Sequence, residues 1–173
     1  MARIPQLPEE SASPEFQETF RRIRENGHRI LNLYTTMAHS PQVGYHFMRL
    51  GNAILMRGAL APPLRELAIL RVGHLCGAVY EWTQHVPIAL RVGIRQAQID
   101  SLPDWRQSVE FNETERAILQ FVDEETLHIR VTEETFSAVR SILTEGEIVE
   151  LTAAIGYYGM VCRILETLGV ELE

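Results

Sequence analysis

Residues 64–93 read LRELAILRVGHLCGAVYEWTQHVPIALRVG. Apolar residues recur through this segment at the spacing of an α-helix, and Pro62-Pro63 precedes it where a helix would begin. Gly77 interrupts the pattern and Gly93 ends it, and glycine is typical of helix C-termini. The segment therefore predicts two consecutive helices that are joined by a tight turn at Gly77.

The same signals predict helices along the rest of the chain. Helical periodicity runs from Glu15 to about His39, with a break expected at Asn26-Gly27. Further helices are predicted over Pro41 to about Arg57 and near Gln96–Leu102, and also after Asn112, Thr132 and Thr144. No alternating pattern of a strand appears. We therefore predict an all-α, single-domain bundle of about eight helices, with residues 1–14 as an irregular arm and 15–173 as the domain.

Composition narrows the possible partners and compartments. The 173 residues are 46% hydrophobic and 23% charged, as expected for one globular domain. A formal charge of −7 argues against nucleic acid as a partner, because phosphate binding needs a concentrated basic face. No apolar stretch reaches the roughly 18 residues of a membrane span, and the first residues lack the apolar core of a signal peptide. We expect a cytoplasmic protein that acts without a membrane partner.

The usage of lysine and cysteine excludes several kinds of chemistry. All 16 basic residues are arginine, so no lysine can form a Schiff base with pyridoxal phosphate or with a carbonyl substrate. The two cysteines, Cys76 and Cys162, form no CxxC motif and have no spacing typical of a zinc site. We therefore predict neither a disulfide framework nor a metal site.

The residues best suited to proton transfer lie in the segment quoted above. Glu81 and His85 are four residues apart, so they share one face of the predicted helix. Glu66 begins the preceding helix and could face this pair, and Tyr80 could donate a phenolic proton. A carboxylate next to an imidazole favours the charged imidazolium and suits general acid–base chemistry. The alternative is an ordinary ion pair on the protein surface.

Cys76 is the second candidate for chemistry. It adjoins Gly77 between two predicted helices, where the N-terminus of the following helix could lower the pKa of a thiol. A single cysteine without a resolving partner is more often a small buried apolar side chain. Cys162 lies on the apolar face of the last predicted helix and is interpreted as core.

The segment 64–93 resembles the signature of the carboxymuconolactone decarboxylase superfamily, which also contains the alkylhydroperoxidase-like proteins. The resemblance implies an alkylhydroperoxidase-like helical fold and a homo-oligomer, commonly a trimer or hexamer. It extends from about Ser40 to the C-terminus. The residues that carry it are Arg65-Glu66, Tyr80-Glu81-Trp82, His85, and Pro87 ahead of Gly93.

The resemblance also implies a relay, made in peroxidase members by a glutamate, the two cysteines of a CxxC motif and a histidine. On this chain the glutamate is Glu66 and the histidine is His85, whereas the two cysteine positions fall on Ala78 and Glu81. The chain therefore resembles a member that lacks the redox pair, and it looks closer to the decarboxylase branch, which needs no cofactor.

Three hypotheses on function follow. The first is a cofactor-independent decarboxylase of a small carboxylated lactone or ring acid, in which Glu66, Glu81 and His85 transfer protons and Tyr80 assists. In this hypothesis Arg71 or Arg163 would pair with the substrate carboxylate. The second is a thiol-dependent alkylhydroperoxidase or peroxiredoxin-type antioxidant that works through Cys76. The third is an oligomeric binding protein without catalysis.

Overall fold

The structure, a computed structural model, describes residues 2–173 and confirms the all-α prediction. In this part of the chain there are nine α-helices, one short 3-10 helix at Glu9–Ser11, and no strand. The α-helices are α1 (Pro14–Glu25), α2 (Asn32–Met37), α3 (Pro41–Arg57), α4 (Pro62–Leu75), α5 (Val79–Arg91), α6 (Gln96–Ser101), α7 (Glu113–His128), α8 (Glu133–Arg140) and α9 (Glu145–Leu168).

The described chain divides into two compact units, where the sequence predicts an arm and one domain. The terminal unit comprises residues 2–56 together with Ile164–Glu173, and the central unit is Arg57–Arg163. The predicted arm is part of the terminal unit and contains the 3-10 helix. A boundary between an arm and a domain at residue 15 stays a prediction.

Phe16 and Phe20 of α1 form the centre of a small core in the terminal unit. Their rings meet edge to face with centroids 5.6 Å apart, and both side chains are buried. The Ser13 side chain accepts a hydrogen bond from Phe16 N and so caps the first turn of α1. Gly44 of α3 belongs to the same unit and approaches this core so closely that only glycine fits there.

We expect Gly44→Ala to destabilise the protein by about 1–3 kcal/mol, because the added methyl group overpacks the core. Its Cβ would lie 2.5 Å from Met37 O and 2.6 Å from the Phe16 ring. Gly156→Ala is the matched control, since a Cβ at this position in α9 meets nothing within 4 Å. There alanine should stabilise the helix by about 0.5–1 kcal/mol. Chemical denaturation of both variants measures the two effects. Changes of the same sign in the free energy of unfolding would contradict this account.

Helix α4 is the central element of the central unit. Every residue from Arg65 to Gly73 is buried, although three of these nine residues are charged. Apolar side chains of α4 pack with residues of α5, α6 and α7 in a core that consists of Leu67, Leu70, Ala89, Ile94, Ile99, Leu102, Trp105, Phe111 and Leu119. Burying a charge is costly unless it is paired, so each charged residue of α4 needs a partner.

Arg71 is satisfied by Asp123 of α7. Its Nε and Nη2 donate to the two carboxylate oxygens at 2.6 and 3.2 Å, and its Nη1 donates to Leu102 O at 2.8 Å. Trp105 Nε1 and Arg106 Nη1 also contact Asp123 Oδ2, at 3.1 and 2.7 Å. This network links α4, α7 and the loop that follows α6.

Helix α9 is the one described helix whose length and composition would allow it to cross a membrane. Its most apolar window has a mean hydropathy of 1.4, and 56% of that window is buried inside the protein. Core helices of globular proteins have the same properties, so the helix is weak evidence for a membrane span.

Candidate functional site

A short turn between α4 and α5 positions the candidate site. Cys76 ends α4, Gly77 adopts a positive φ of 66°, and the Ala78 N–H donates to Gly73 O at 2.9 Å across the turn. The positive φ explains the glycine, because side chains rarely adopt that conformation. Gly73 faces α5, where a Cβ on it would be in ordinary van der Waals contact with Glu81 Cγ at 3.7 Å.

Glu66, His85 and Glu81 meet between these helices and are called the carboxylate–imidazole cluster below. His85 Nδ1 lies 2.7 Å from Glu66 Oε2, in a hydrogen bond, and His85 Nε2 lies 2.9 Å from Glu81 Oε1. The second contact has the distance of an ion pair without the geometry of a hydrogen bond, so Glu81 Oε1 has no hydrogen-bond partner among the described residues. The relative exposures of Glu66, Glu81 and His85 are 0%, 3% and 6%.

The pKa of His85 is set by two opposing effects. Burial lowers it, because a charged ring loses its hydration, and the contacts with Glu66 and Glu81 raise it. The effect of the two carboxylates is larger than that of burial and raises the pKa of His85 to about 9. The ring is therefore an imidazolium at neutral pH. Arg65 adds a second positive charge, with its Nε 3.4 Å from Glu66 Oε1.

This charge balance predicts how stability depends on pH. Because the pKa of His85 is raised from 6.5 to about 9, the folded protein holds a proton that the unfolded chain releases between these values. The contribution of His85 is therefore complete below pH 6.5 and is lost as the pH rises through 9, by up to about 3 kcal/mol.

Denaturation of the wild type and of His85→Gln between pH 6 and pH 10 measures the difference in slope. An NMR titration of the His85 ring gives the pKa directly, even if the variant does not fold. Equal slopes, or a ring that titrates near the ordinary 6.5, would contradict the account.

Two aromatic residues of α9 adjoin the cluster. The Tyr158 ring packs edge to face on the His85 ring, with centroids 4.9 Å apart, and Tyr157 packs on Tyr158 at 5.2 Å. Both tyrosines are buried, and so is Tyr80 in the first turn of α5. The sequence alone does not indicate the contact between Tyr158 and His85, since no local pattern links residues this distant.

The two arginines that the sequence predicts to bind a carboxylate, Arg71 and Arg163, have different surroundings in the structure. Arg71 donates from each of its nitrogens to protein acceptors, chiefly the carboxylate of Asp123, and this arrangement does not support its predicted role in substrate binding. Arg163 is exposed, and its Nη1 donates to Gly159 O of its own helix at 2.7 Å. A role of Arg163 in substrate binding stays a prediction.

The two cysteines also differ in their surroundings. Cys76 is half-buried at the end of α4, whereas Cys162 is 1% exposed in α9, as expected for a core residue. Among residues 2–173, no group of three or more His, Cys, Asp or Glu side chains has the arrangement of a metal site.

The model of the carboxymuconolactone decarboxylase family matches residues 41–124, which contain the whole carboxylate–imidazole cluster. The chain belongs to the carboxymuconolactone decarboxylase superfamily. The prediction from residues 64–93 is therefore confirmed. No curated protein matches this superfamily member in sequence.

Solved structures share the fold of this superfamily member. Atu0492 of Agrobacterium tumefaciens is a protein of unknown function with a suggested AhpD role in antioxidant defence. It is 26% identical to this chain with a TM-score of 0.72, and the match covers 78% of this chain and 93% of Atu0492. The alkylhydroperoxidase AhpD core of a peroxidase-related protein from Ralstonia eutropha JMP134 is 18% identical to this chain with a TM-score of 0.88. That match covers 99% of this chain and 92% of the other. A cysteine-to-alanine variant of the debrominase Bmp8, in complex with 2,3,4-tribromopyrrole, is 20% identical to this chain with a TM-score of 0.83. This match covers 100% of the chain and 94% of the Bmp8 variant.

Proposed function

We propose that this protein is a cofactor-independent acid–base enzyme that decarboxylates a small carboxylated lactone or ring acid. One observation carries the proposal: a buried histidine held between two buried carboxylates, at 2.7 and 2.9 Å. The raised pKa of His85, about 9, keeps a transferable proton on the ring at neutral pH. Perturbed titrating groups of this kind are typical of sites that move protons.

The proposed reaction has one chemical step and one proton transfer. The bond between the ring carbon and the carboxylate breaks, its electron pair is delocalised as a dienolate, and carbon dioxide leaves. The imidazolium of His85 then supplies the proton that forms the new C–H bond, and water restores it. Glu66, at Nδ1, would hold the ring, and Glu81, at Nε2, would relay the proton of His85 to the substrate. Tyr80 would assist as a second donor.

The residue at position 81 supports acid–base chemistry over thiol redox chemistry. By the family resemblance, positions 78 and 81 are those of the redox cysteines, and here they are Ala78 and Glu81. The imidazole that would serve a thiol in a peroxidase therefore contacts a carboxylate instead. A disulfide cycle needs a thiolate with a resolving thiol in reach, and neither motif position supplies sulfur.

The setting of the enzyme is also part of the proposal. We infer a cytoplasmic homo-oligomer, a trimer or hexamer, because the superfamily resemblance implies such an assembly. Light scattering of the purified protein tests the oligomeric state.

The function is tested by a screen of carboxylated lactones and ring acids for release of carbon dioxide, without added metal or cofactor. Turnover should be constant near neutral pH and fall above about pH 9, since His85 loses its proton there. If none of these acids is decarboxylated, or if turnover rises through pH 9, the proposal fails.

A second candidate is a thiol-dependent peroxidase that uses Cys76. The half-buried state of Cys76 favours it, because a reactive thiol must be reachable and Cys162 is not. Peroxide would oxidise the Cys76 thiolate to a sulfenic acid with release of water or alcohol, and an external thiol would reduce it again. Consumption of an organic hydroperoxide with excess thiol, compared between the wild type and Cys76→Ser, tests this candidate. If neither reaction is found, the remaining hypothesis is an oligomeric binding protein.

A further inference from the structure

Arg65 is a buried arginine with few partners of its own. The residue is 7% exposed, and its one described contact runs from Nε to Glu66 Oε1 at 3.4 Å. Its Nη1 and Nη2 donate no hydrogen bond to any of residues 2–173. Arg71, which is equally buried on the same helix, donates from all its nitrogens to Asp123, Leu102 and Pro103.

A guanidinium group that is mostly removed from water needs acceptors for its N–H donors. It carries five N–H donors and stays charged at every physiological pH, so burial removes hydration that the protein must replace. At Arg71 the protein replaces it with a carboxylate and two carbonyl oxygens. At Arg65 only the Nε side is engaged, and that contact is long. The terminal nitrogens therefore have no protein acceptor among residues 2–173, and they still reach solvent, since the buried atoms without a hydrogen-bond partner belong to Glu81, Glu125 and Thr126.

We propose that Arg65 binds the carboxylate of the substrate through Nη1 and Nη2. This inference rests on the proposed function and deepens it, since it names the residue that pairs with the carboxylate of the substrate. The planar end of a guanidinium pairs with a carboxylate through two parallel hydrogen bonds. Arg65 Nε contacts the same Glu66 that binds His85, so Arg65 and His85 share one carboxylate neighbour.

In this proposal Arg65 takes the role of substrate-carboxylate binding that the sequence assigns to Arg71 or Arg163. Arg71 is engaged by Asp123, whereas Arg163 is exposed and can meet any anion from solvent. A buried guanidinium binds a carboxylate more strongly than an exposed one does, because less water competes for the hydrogen bonds. A carboxylate from a second copy of the chain is the other possible partner of Arg65, and the experiment below separates these cases.

The test measures binding of two probes by calorimetry, so it does not depend on turnover. The probes are 5-oxotetrahydrofuran-2-carboxylate and its uncharged methyl ester, which differ in the carboxylate. The wild type should prefer the acid, and Arg65→Met should weaken acid binding by roughly 10- to 100-fold while leaving the ester unchanged. Arg65→Lys should recover part of the preference. Arg91→Met, a change of an exposed arginine at the end of α5, should have no effect.

Several results would overturn the assignment. The wild type could bind both probes equally or bind neither, or Arg163→Met could remove the preference in place of Arg65→Met. Arg65→Met could also dissociate the oligomer in light scattering and leave the preference for the acid intact, which would indicate a partner-chain carboxylate. If Arg65 governs acid binding but no acid is decarboxylated, the inference stands and the proposed function fails. If decarboxylation proceeds unchanged in Arg65→Met, the function stands and the inference fails.

Discussion

Glu66→Gln is expected to lower the rate of decarboxylation by roughly 100- to 10,000-fold, the range that general acid–base groups contribute. The amide has the shape of the carboxylate without its charge, so the hydrogen bond at His85 Nδ1 loses the charge that keeps the ring protonated. His85→Ala should have an effect of the same order, because it removes the proton donor itself. Both are measured as turnover of the acid found in the screen.

The control for this prediction is Glu134→Gln, the same exchange at an exposed position in α8. It should keep the wild-type rate. Circular dichroism of all the variants shows whether the helical fold is kept, so that a loss of rate is not caused by unfolding. Unchanged rates in Glu66→Gln and His85→Ala would remove both residues from the reaction.

Asp123→Ala is expected to cost about 3–5 kcal/mol in the free energy of unfolding, the largest effect on stability that we predict. The Asp123 carboxylate accepts from Arg71 and Trp105 inside the protein and also pairs with Arg106. Without it, the buried Arg71 charge keeps only carbonyl partners. A loss of this size is a large part of the roughly 5–15 kcal/mol that stabilises an ordinary domain.

Arg140→Ala is the matched control for Asp123→Ala. It breaks the ion pair between Arg140 and Glu145, whose side chains are 63% and 85% exposed, and should cost no more than about 1 kcal/mol. Urea denaturation at neutral pH measures both variants. Equal losses in the two variants would show that the Arg71–Asp123 pair contributes no more than a surface pair.

The helices could be predicted because their ends have local chemical causes. Pro41 begins α3 and the Gly77 turn separates α4 from α5, as the sequence indicates. At α7, Asn112 and Glu115 form a reciprocal capping box, with both hydrogen bonds at 2.9 Å. Each of these signals acts within a few residues of the chain, which is why a single sequence contains them.

The contact between Glu81 and His85 could also be predicted, because residues four apart on a helix are neighbours. Their burial could not be predicted from that spacing, and the interpretation as a surface ion pair is wrong because both side chains are enclosed. The approach of Glu66 to His85 depends on how α4 and α5 pack. The resemblance to the superfamily, more than the spacing, pointed to Glu66.

The roles of Arg65 and Arg71 could be recognised only from the structure. Arg71 and Asp123 are 52 positions apart, and no local pattern indicates that they pair. In the sequence Arg65 stands out only as part of the family signature, because the partners of its guanidinium are known only from the structure. The same holds for Tyr158, whose ring reaches His85 from α9.

In the proposed reaction the carboxylate–imidazole cluster transfers the proton, and no thiol takes part. The most direct test is the release of carbon dioxide from the same acid by the wild type, His85→Ala and Cys76→Ser, measured side by side with no reductant present. We expect His85→Ala to lose activity by at least roughly 100-fold and Cys76→Ser to keep it. Loss of activity in Cys76→Ser, with His85→Ala still active, would contradict this expectation.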